Sequence, residues 1–268
     1  TCFRPTTPNS SAFGARYITE ELILIIYKYD GTIEGYYTAV DTALKSKEQY
    51  VTFTIDTNVQ LALDTEIIDV ETNFETFRNM DKYLTKLIGS SNIYEIIYAF
   101  ASADPDKDSI IFNYISLAIR YGKKVLEMLS HPHVVKMYGI VRKVKGESHR
   151  MLGFIRFAKT ADERYYAAYS PDNNVTSIIM PHFVSRYSTM QFVIHDTKRG
   201  VLGIYDGNRY IVIKDERKAT VCYADDEYEI QALWKKFYES VNIAERANKR
   251  QQNGYLPKKY RDYLTEFN

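Results

Sequence analysis

The chain has 268 residues, of which 45% are hydrophobic and 26% are charged, and its formal net charge is +1. These values are typical of a folded globule with one large domain or two small ones, and they exclude a long disordered or fibrous chain. The charge is uneven, because residues 1–119 carry 9 basic and 17 acidic side chains whereas residues 120–159 carry 10 basic and 2 acidic ones. Such a basic block favours a polyanion partner, or attraction to the acidic part of the same fold.

Cys2 and Cys222 are the only cysteines, and no Cys-x-x-Cys pair is present to build a zinc or iron–sulfur site. We therefore expect no metal and no other cofactor. The apolar run Leu22–Ile26 is far shorter than the roughly 20 residues of a membrane helix, and no signal peptide is recognisable before it. The sequence thus predicts a cytoplasmic protein without membrane association.

The N-terminal part predicts a small α/β unit behind a loose extension at residues 1–22. An apolar run, Leu22–Tyr29, predicts a first strand that ends at a turn formed by Asp30 and Gly31. The expected elements after this turn are a helix from Gly31 or Thr32 to Leu44, a strand over Tyr50–Ile55 and further short strand structure within residues 58–70.

From Thr72 the spacing of apolar residues becomes helical, which predicts a helical middle region. Asn92 is a candidate N-cap and Asp108 a candidate start for two of its helices. A shorter helix is expected over Lys123–Leu129. Pro132 lies near the first turn of a further helix, where its missing N–H is tolerated.

After about residue 150 the period changes to two, which predicts strands. We expect Met151–Phe157 and Arg164–Ser170 to pair, and a short helix to follow over Val175–Tyr187. Residues Asp225–Ala244 predict a long amphipathic helix with a basic tail behind it. Further strands are expected over Gln191–Asp196, Val201–Tyr205 and Tyr210–Ile213.

These elements predict an α+β fold. Residues 23–150 would form a small N-terminal α/β unit and a helical middle. Residues 151–268 would form a C-terminal domain with a mainly antiparallel sheet, packed helices and the basic tail.

Seven segments occur in an order and at a spacing that point to a known family. They are Tyr27–Gly35, Arg150–Phe157, Ser170–Asn174, Pro181–Tyr187, Ile194–Gly200, Leu233–Tyr238 and Leu256–Tyr260. Over about residues 23–267 the chain resembles a bacterial family of proposed DNA metabolism proteins.

The resemblance implies a partner, because genes of this family usually neighbour one for a radical S-adenosylmethionine protein thought to modify or repair DNA. Its C-terminal part is also similar to a domain fused to some uracil-DNA glycosylases. The expected function is that of a DNA-associated accessory protein in DNA repair or modification. The alternatives are an enzyme that acts directly on damaged or modified DNA, and a protein-only scaffold.

Basic side chains recur along the helix predicted after Pro132. One basic face repeats every seven residues, a second basic edge runs beside it, and Met137, Val141 and Val144 lie between them and should face the core. This arrangement suits contact with phosphates, and an ordinary solvated helix is the alternative. The candidate nucleic-acid-binding residues are Lys136, Arg142, Lys143, Lys145, His149 and Arg150 on this helix, with Arg156, Arg199, Lys258 and Lys259 beyond it.

A candidate catalytic site combines His182, Arg186, His195 and Asp196, which could hold a phosphate or move a proton. His182 and Arg186 are four residues apart and share a helix face, whereas His195 and Asp196 are strand neighbours that point to opposite faces. Arg199 is expected to join His182 and Arg186 in one functional surface. Structural roles in turns and in ties between helix and sheet are the alternative.

Several recognisable reaction motifs are missing from the sequence. It has no Gly-rich phosphate loop, no His-x-Glu with Pro-Cys-x-x-Cys and no nucleophile elbow. His131 and His133 flank a proline without further ligands nearby, so they do not predict a metal site.

Overall fold

The computed structural model describes residues 24–46, 50–56, 65–215, 217, 220–243 and 246–268. These residues form eight strands and eight α-helices around two sheets, which confirms the predicted α+β class. The predicted extension at residues 1–22, and residues 57–64 with them, lie outside the described residues.

The N-terminal sheet is parallel and has three strands in the order β2-β1-β3. Its central strand pairs on both sides, and the helix that follows it crosses to the next strand, as parallel pairing requires. The elements are β1 (Leu24–Lys28), α1 (Ile33–Ser46), β2 (Val51–Thr54) and β3 (Thr65–Asp69).

The turn between β1 and α1 depends on two glycines. Gly31 has a φ of 82°, which favours glycine. The carboxylate of Asp30 accepts hydrogen bonds from the backbone N–H of Thr32 at 2.9 Å and from the hydroxyl of Thr72 at 2.6 Å. A Cβ on Gly35 would lie 2.2 Å from this carboxylate, so the turn requires glycine there as well.

Four helical elements follow: α2 (Phe74–Ile88), α3 (Ser90–Phe100), α4 (Lys107–Tyr121) and a 3-10 helix over Gly122–Glu127. The helix predicted over Lys123–Leu129 is present as a 3-10 helix that ends at Glu127, because Gly122, with a φ of 60°, ends α4. Asn92 is not an N-cap. Its side chain lies inside the first turn of α3 and donates to the carbonyl of Ile88 at 2.7 Å, which caps the end of α2.

Helix α5 (Pro132–Phe154) joins the two halves of the protein. Its first part contributes Met137 and Val141 to the core of the N-terminal half, and its second part contributes Val144 and Met151 to the C-terminal core. The predicted strand at Met151–Phe157 is therefore wrong, because Met151 continues the buried helical stripe and the helix ends only at Phe154. The boundary drawn at residues 150 and 151 falls inside this helix.

The C-terminal sheet has five strands in the order β4-β5-β6-β7-β8, and only the β5–β6 pair is parallel. The helix between β5 and β6 covers one face of this sheet and closes the second core. The elements are β4 (Ala158–Lys159), β5 (Tyr165–Tyr169), α6 (Thr176–Arg186), β6 (Phe192–Asp196), β7 (Val201–Tyr205) and β8 (Tyr210–Lys214).

Two further helices, α7 (Glu227–Ser240) and α8 (Lys249–Tyr255), follow the sheet. The predicted amphipathic helix is thus shorter than Asp225–Ala244, and Ala244 lies outside the described residues. Helix α7 is attached through Glu227, which accepts from the N–H of Lys159 at 2.8 Å. Its apolar stripe, which includes Leu233 and Phe237, stays more than half exposed.

Candidate nucleic-acid interface

The start of α5 determines the direction in which its basic side chains point. Pro132 occupies the first helical turn, and the Nδ1 of His131 accepts from the backbone N–H of His133 at 3.3 Å as an N-cap. The predicted core residues Met137, Val141 and Val144 are buried. The basic residues between them therefore point away from the core, as the seven-residue repeat predicts.

One exposed face of α5 lines an open groove of about 820 Å³. The loop of residues 102–104 forms one wall and residues 172–173 form another. Beside it, a depression of about 330 Å³ shares Asp104, Gly139 and Lys143 and extends the groove towards Lys136. We call both parts together the α5 groove, and its α5 residues are Lys136, Gly139, Arg142, Lys143, Gly146, Glu147 and Arg150.

Glycines make the exposed floor of the α5 groove. A Cβ on Gly139 or Gly146 would meet nothing within 4 Å, so packing does not require glycine at either position. A glycine inside a helix costs about 1 kcal/mol relative to alanine. What the two glycines do provide is space for a close approach to the helix backbone.

These glycines are not among the residues predicted from the sequence, although the sequence contains a signal for them. Gly139, Gly146 and Gly153 repeat every seven residues, in step with Lys136, Lys143 and Arg150. Because both sets keep the same interval along one helix, open space and positive charge alternate along α5.

Four cations, Lys136, Arg142, Lys143 and Arg150, line the α5 groove together with four acidic side chains, Asp104, Asp106, Glu147 and Asp172. Lys136, Arg142 and Arg150 are exposed and have no hydrogen bond or ion pair within the described parts of the chain. Lys143 lies 4.0 Å from the carboxylate of Asp104, at the limit of an ion pair. Exposed guanidinium and ammonium groups without a partner in the protein are available to bind phosphate oxygens.

Glu147 ties one wall of the groove, at residues 172–173, to α5. Its side chain is buried, and its carboxylate accepts from the backbone N–H groups of Asp172 and Asn173, both at 2.8 Å. It also accepts from the Asn173 amide and from the hydroxyl of Tyr260, both at 2.5 Å. Burial, and then the bond to Glu147, raises the pKa of Tyr260 to about 12.

The two loop walls also contact each other directly. The side-chain oxygen of Asn173 accepts from the N–H of Ala103 at 2.9 Å, and the N–H of Asn174 donates to the carbonyl of Ala101 at 2.9 Å. Because both loops are held by hydrogen bonds within the fold, the shape of the groove is set by the fold itself.

The structure separates the remaining predicted nucleic-acid residues from this groove. Most of them have an acidic partner inside the protein, and such a partner competes with phosphate for the cation. The partners are Glu95 for Lys145, Glu266 for Arg156, Asp196 for Arg199 and Asp172, which lies in the groove wall, for Lys259. His149 and Lys258 are exposed, and neither lines the α5 groove.

The four candidate catalytic residues do not converge on one site. His182 and Arg186 are exposed on α6, as predicted. His195 and Asp196 point to opposite faces of β6, also as predicted. His195 contacts the hydroxyl of Tyr166 at 2.7 Å, and burial lowers its pKa. Asp196 is fully buried, and burial raises its pKa against the opposing hydrogen bond from Arg199.

Arg199 lies at the other end of β6 from Arg186. Arg186 ends α6 before β6 begins, whereas Arg199 follows the carboxyl end of that strand, which separates them by on the order of 15 Å of strand. The guanidinium of Arg199 bonds to the carboxylate of Asp196 and the carbonyl of Pro171, both at 3.0 Å. It also donates to the carbonyl of Asp172. The expected surface of His182, Arg186 and Arg199 is therefore not continuous.

These contacts predict a structural role for Arg199. Replacing Arg199 by glutamine should lower the free energy of unfolding by about 2 kcal/mol, because the buried carboxylate of Asp196 loses its cationic partner. The matched change Arg186→Gln removes an exposed arginine and should stay within about 0.5 kcal/mol of wild type. Urea denaturation of both variants decides this, and equal stabilities would refute the structural role.

A family model for a domain of unknown function, DUF4130, matches residues 105–266. The matched segment includes α5, the C-terminal sheet and most of the α5 groove, and the chain belongs to this family. No curated protein and no solved structure gives a significant match.

Two further observations concern the described residues alone. No group of three or more His, Cys, Asp or Glu side chains among them is arranged to hold a metal ion. Of the helices in these ranges, none is long and apolar enough to cross a membrane.

Proposed function

We propose that this protein is a DNA-associated accessory protein of DNA repair or modification, and that it holds the DNA backbone in the α5 groove. The observation that carries the proposal is the set of unpaired cations, Lys136, Arg142 and Arg150, along a glycine floor. Phosphate contacts supply most of the affinity of proteins that bind DNA with little sequence preference. A pre-formed groove without a convergent set of titratable groups favours binding over catalysis.

The proposed partner is a radical S-adenosylmethionine protein that carries the iron–sulfur cluster. The resemblance to the DNA metabolism family is the reason for naming this class. The exposed apolar stripe on α7 adds support for a protein partner, because exposed apolar patches are typical of protein–protein contacts. The alternative of a self-sufficient DNA enzyme has less support, since His182 and Arg186 lie on α6, His195 contacts Tyr166 and Asp196 is buried, so the four do not converge on one site.

Fluorescence anisotropy with duplex and single-stranded DNA of mixed sequence tests the DNA proposal. Four cations line the α5 groove, so the logarithm of the duplex association constant should fall against the logarithm of salt with a slope of roughly −3 to −4. Affinity should vary little between sequences. Absence of binding at the lowest salt concentration would refute the proposal.

Co-purification tests the partner. The untagged partner protein should remain bound after nuclease treatment and should contain iron. Loss of every companion after nuclease treatment would mean that DNA alone bridges them.

A further inference from the structure

Strand β8 forms one edge of the C-terminal sheet. Within the described residues it pairs only with β7. The backbone N–H of Asp206 donates to the carbonyl of Arg209 at 3.2 Å, and the backbone N–H of Asp215 donates to the carbonyl of Gly200 at 2.7 Å, which fixes the phase of the ladder. Alternate residues of an antiparallel strand point their backbone groups to opposite sides, so those of Tyr210 and Val212 point outward, away from β7.

This edge has an unusual composition. Tyr210 is 40% exposed, Ile211 51% and Ile213 39%, and of the features by which edge strands usually prevent pairing, lysine, proline or a bulge, β8 carries one lysine at its end, Lys214. Ile211 and Ile213 lie on one face of the strand because the side-chain period is two. An exposed apolar edge of this kind is a template for another strand.

We propose that β8 pairs antiparallel with β8 of a second copy of this chain, with the two-fold axis at Val212. In this register each Ile211 lies opposite Ile213 of the second copy, so the exposed isoleucines cover each other. At both ends of the strand, Arg209 lies opposite Asp215 of the second copy. Asp215 is already held beside the strand by Arg217 at 2.7 Å.

Charge complementarity selects this register. Residues whose backbone groups point outward must pair with residues of the same kind in the second copy. Neighbouring registers therefore shift the residue opposite Arg209 by two positions. A step in one direction places Arg209 opposite Arg217, and a step in the other places it opposite Ile213. Of these three registers, only the one centred on Val212 places opposite charges at both ends. It also places Ile211 of each copy opposite Ile213 of the other.

The proposed dimer is independent of DNA binding. Its contacts lie on β8, whereas the α5 groove is lined by α5 and by loop residues 102–104 and 172–173. Variants of β8 that become monomeric should still bind DNA, and variants of the α5 groove should remain dimeric, so the two proposals fail separately.

Sedimentation of the full chain tests the proposal, and the wild type should approach twice its 31.2 kDa at concentrations up to about 100 µM. Ile211→Lys should be monomeric and keep the wild-type melting temperature, because the side chain is already half exposed. Arg209→Asp should raise the dimer dissociation constant about tenfold, and adding Asp215→Arg should reverse this. The control Lys124→Asp makes the same charge change on an exposed lysine away from β8.

A cross-link at the two-fold axis tests the register. In a background with Cys2→Ser and Cys222→Ser, Val212→Cys should oxidise to a covalent dimer, because directly paired residues have Cα atoms about 5.5 Å apart. Tyr210→Cys should not, since its copies lie far from each other in this register. A monomeric wild type, or a dimer unaffected by Ile211→Lys and Arg209→Asp, would overturn the proposal.

Discussion

Replacing Gly146 by glutamate is expected to lower DNA affinity at least about 100-fold and to leave the fold intact. The new Cβ would meet nothing within 4 Å, and replacing a glycine inside a helix by another residue favours stability by up to about 1 kcal/mol. The carboxylate would occupy the floor between Arg142 and Arg150, where it neutralises the cations and repels phosphate. Anisotropy titrations beside thermal melts measure both effects.

Two controls make the Gly146 result specific. Gly146→Ala should bind DNA nearly as well as wild type and melt slightly higher, since a methyl group leaves most of the groove open. Gly254→Glu makes the same substitution in α8, at a helical glycine that also has open space around it, and should keep wild-type affinity. A folded Gly146→Glu variant that binds normally would remove the α5 groove from the proposed interface.

Glu147→Ala should cause the largest loss of stability, about 3–5 kcal/mol, because several buried donors lose their charged acceptor together. The loop at Asp172 and Asn173 would lose its anchor, and the hydroxyl of Tyr260 would lose its partner. Urea denaturation gives the change in the free energy of unfolding. DNA affinity should also fall, because the wall of the α5 groove at residues 172–173 would lose its attachment to α5.

The matched variant for Glu147 is Glu127→Ala. Glu127 is exposed at the end of the 3-10 helix, and its removal should change stability by less than about 0.5 kcal/mol. Glu147→Gln should fall between the two, because its amide oxygen can accept from some of the donors while its NH₂ group faces others. If Glu147→Ala were as stable as Glu127→Ala, the anchoring role would be wrong.

The helical period carries most of what the sequence reveals about the interface. It places Met137, Val141 and Val144 in the core and therefore points Lys136, Lys143 and Arg150 outward, as the structure has them. The same rule failed at Met151–Phe157, where alternation over a few residues looked like a strand but the buried stripe of a helix continued. Short apolar runs do not distinguish the two structures.

Glu147 could not be predicted from local pattern. In the sequence it stands among lysines and arginines and looks like a solvated surface charge. Its burial depends on donors from Asp172, Asn173 and Tyr260, which are 25 to 113 residues away along the chain. Tertiary contacts also determine the role of Arg199, whose guanidinium donates to the carboxylate of Asp196 and the carbonyl of Pro171.

Helix α7 was predicted correctly from local pattern, but the exposure of its apolar stripe was not. Its apolar spacing predicts an amphipathic helix, and the structure contains one, but the stripe with Leu233 and Phe237 remains exposed. Periodicity identifies the face of a helix that avoids water and does not identify what covers it.

The central claim is tested most directly by the salt dependence of DNA binding in the double variant Arg142→Gln/Arg150→Gln. Each lost phosphate contact should make the slope less steep by about 1, so the double variant should differ from wild type by about 2 and bind more weakly at low salt. Lys123→Gln/Lys124→Gln removes the same charge from exposed lysines outside the α5 groove and should keep the wild-type slope. Equal slopes for the two double variants would contradict the assignment of the α5 groove as the DNA-binding surface.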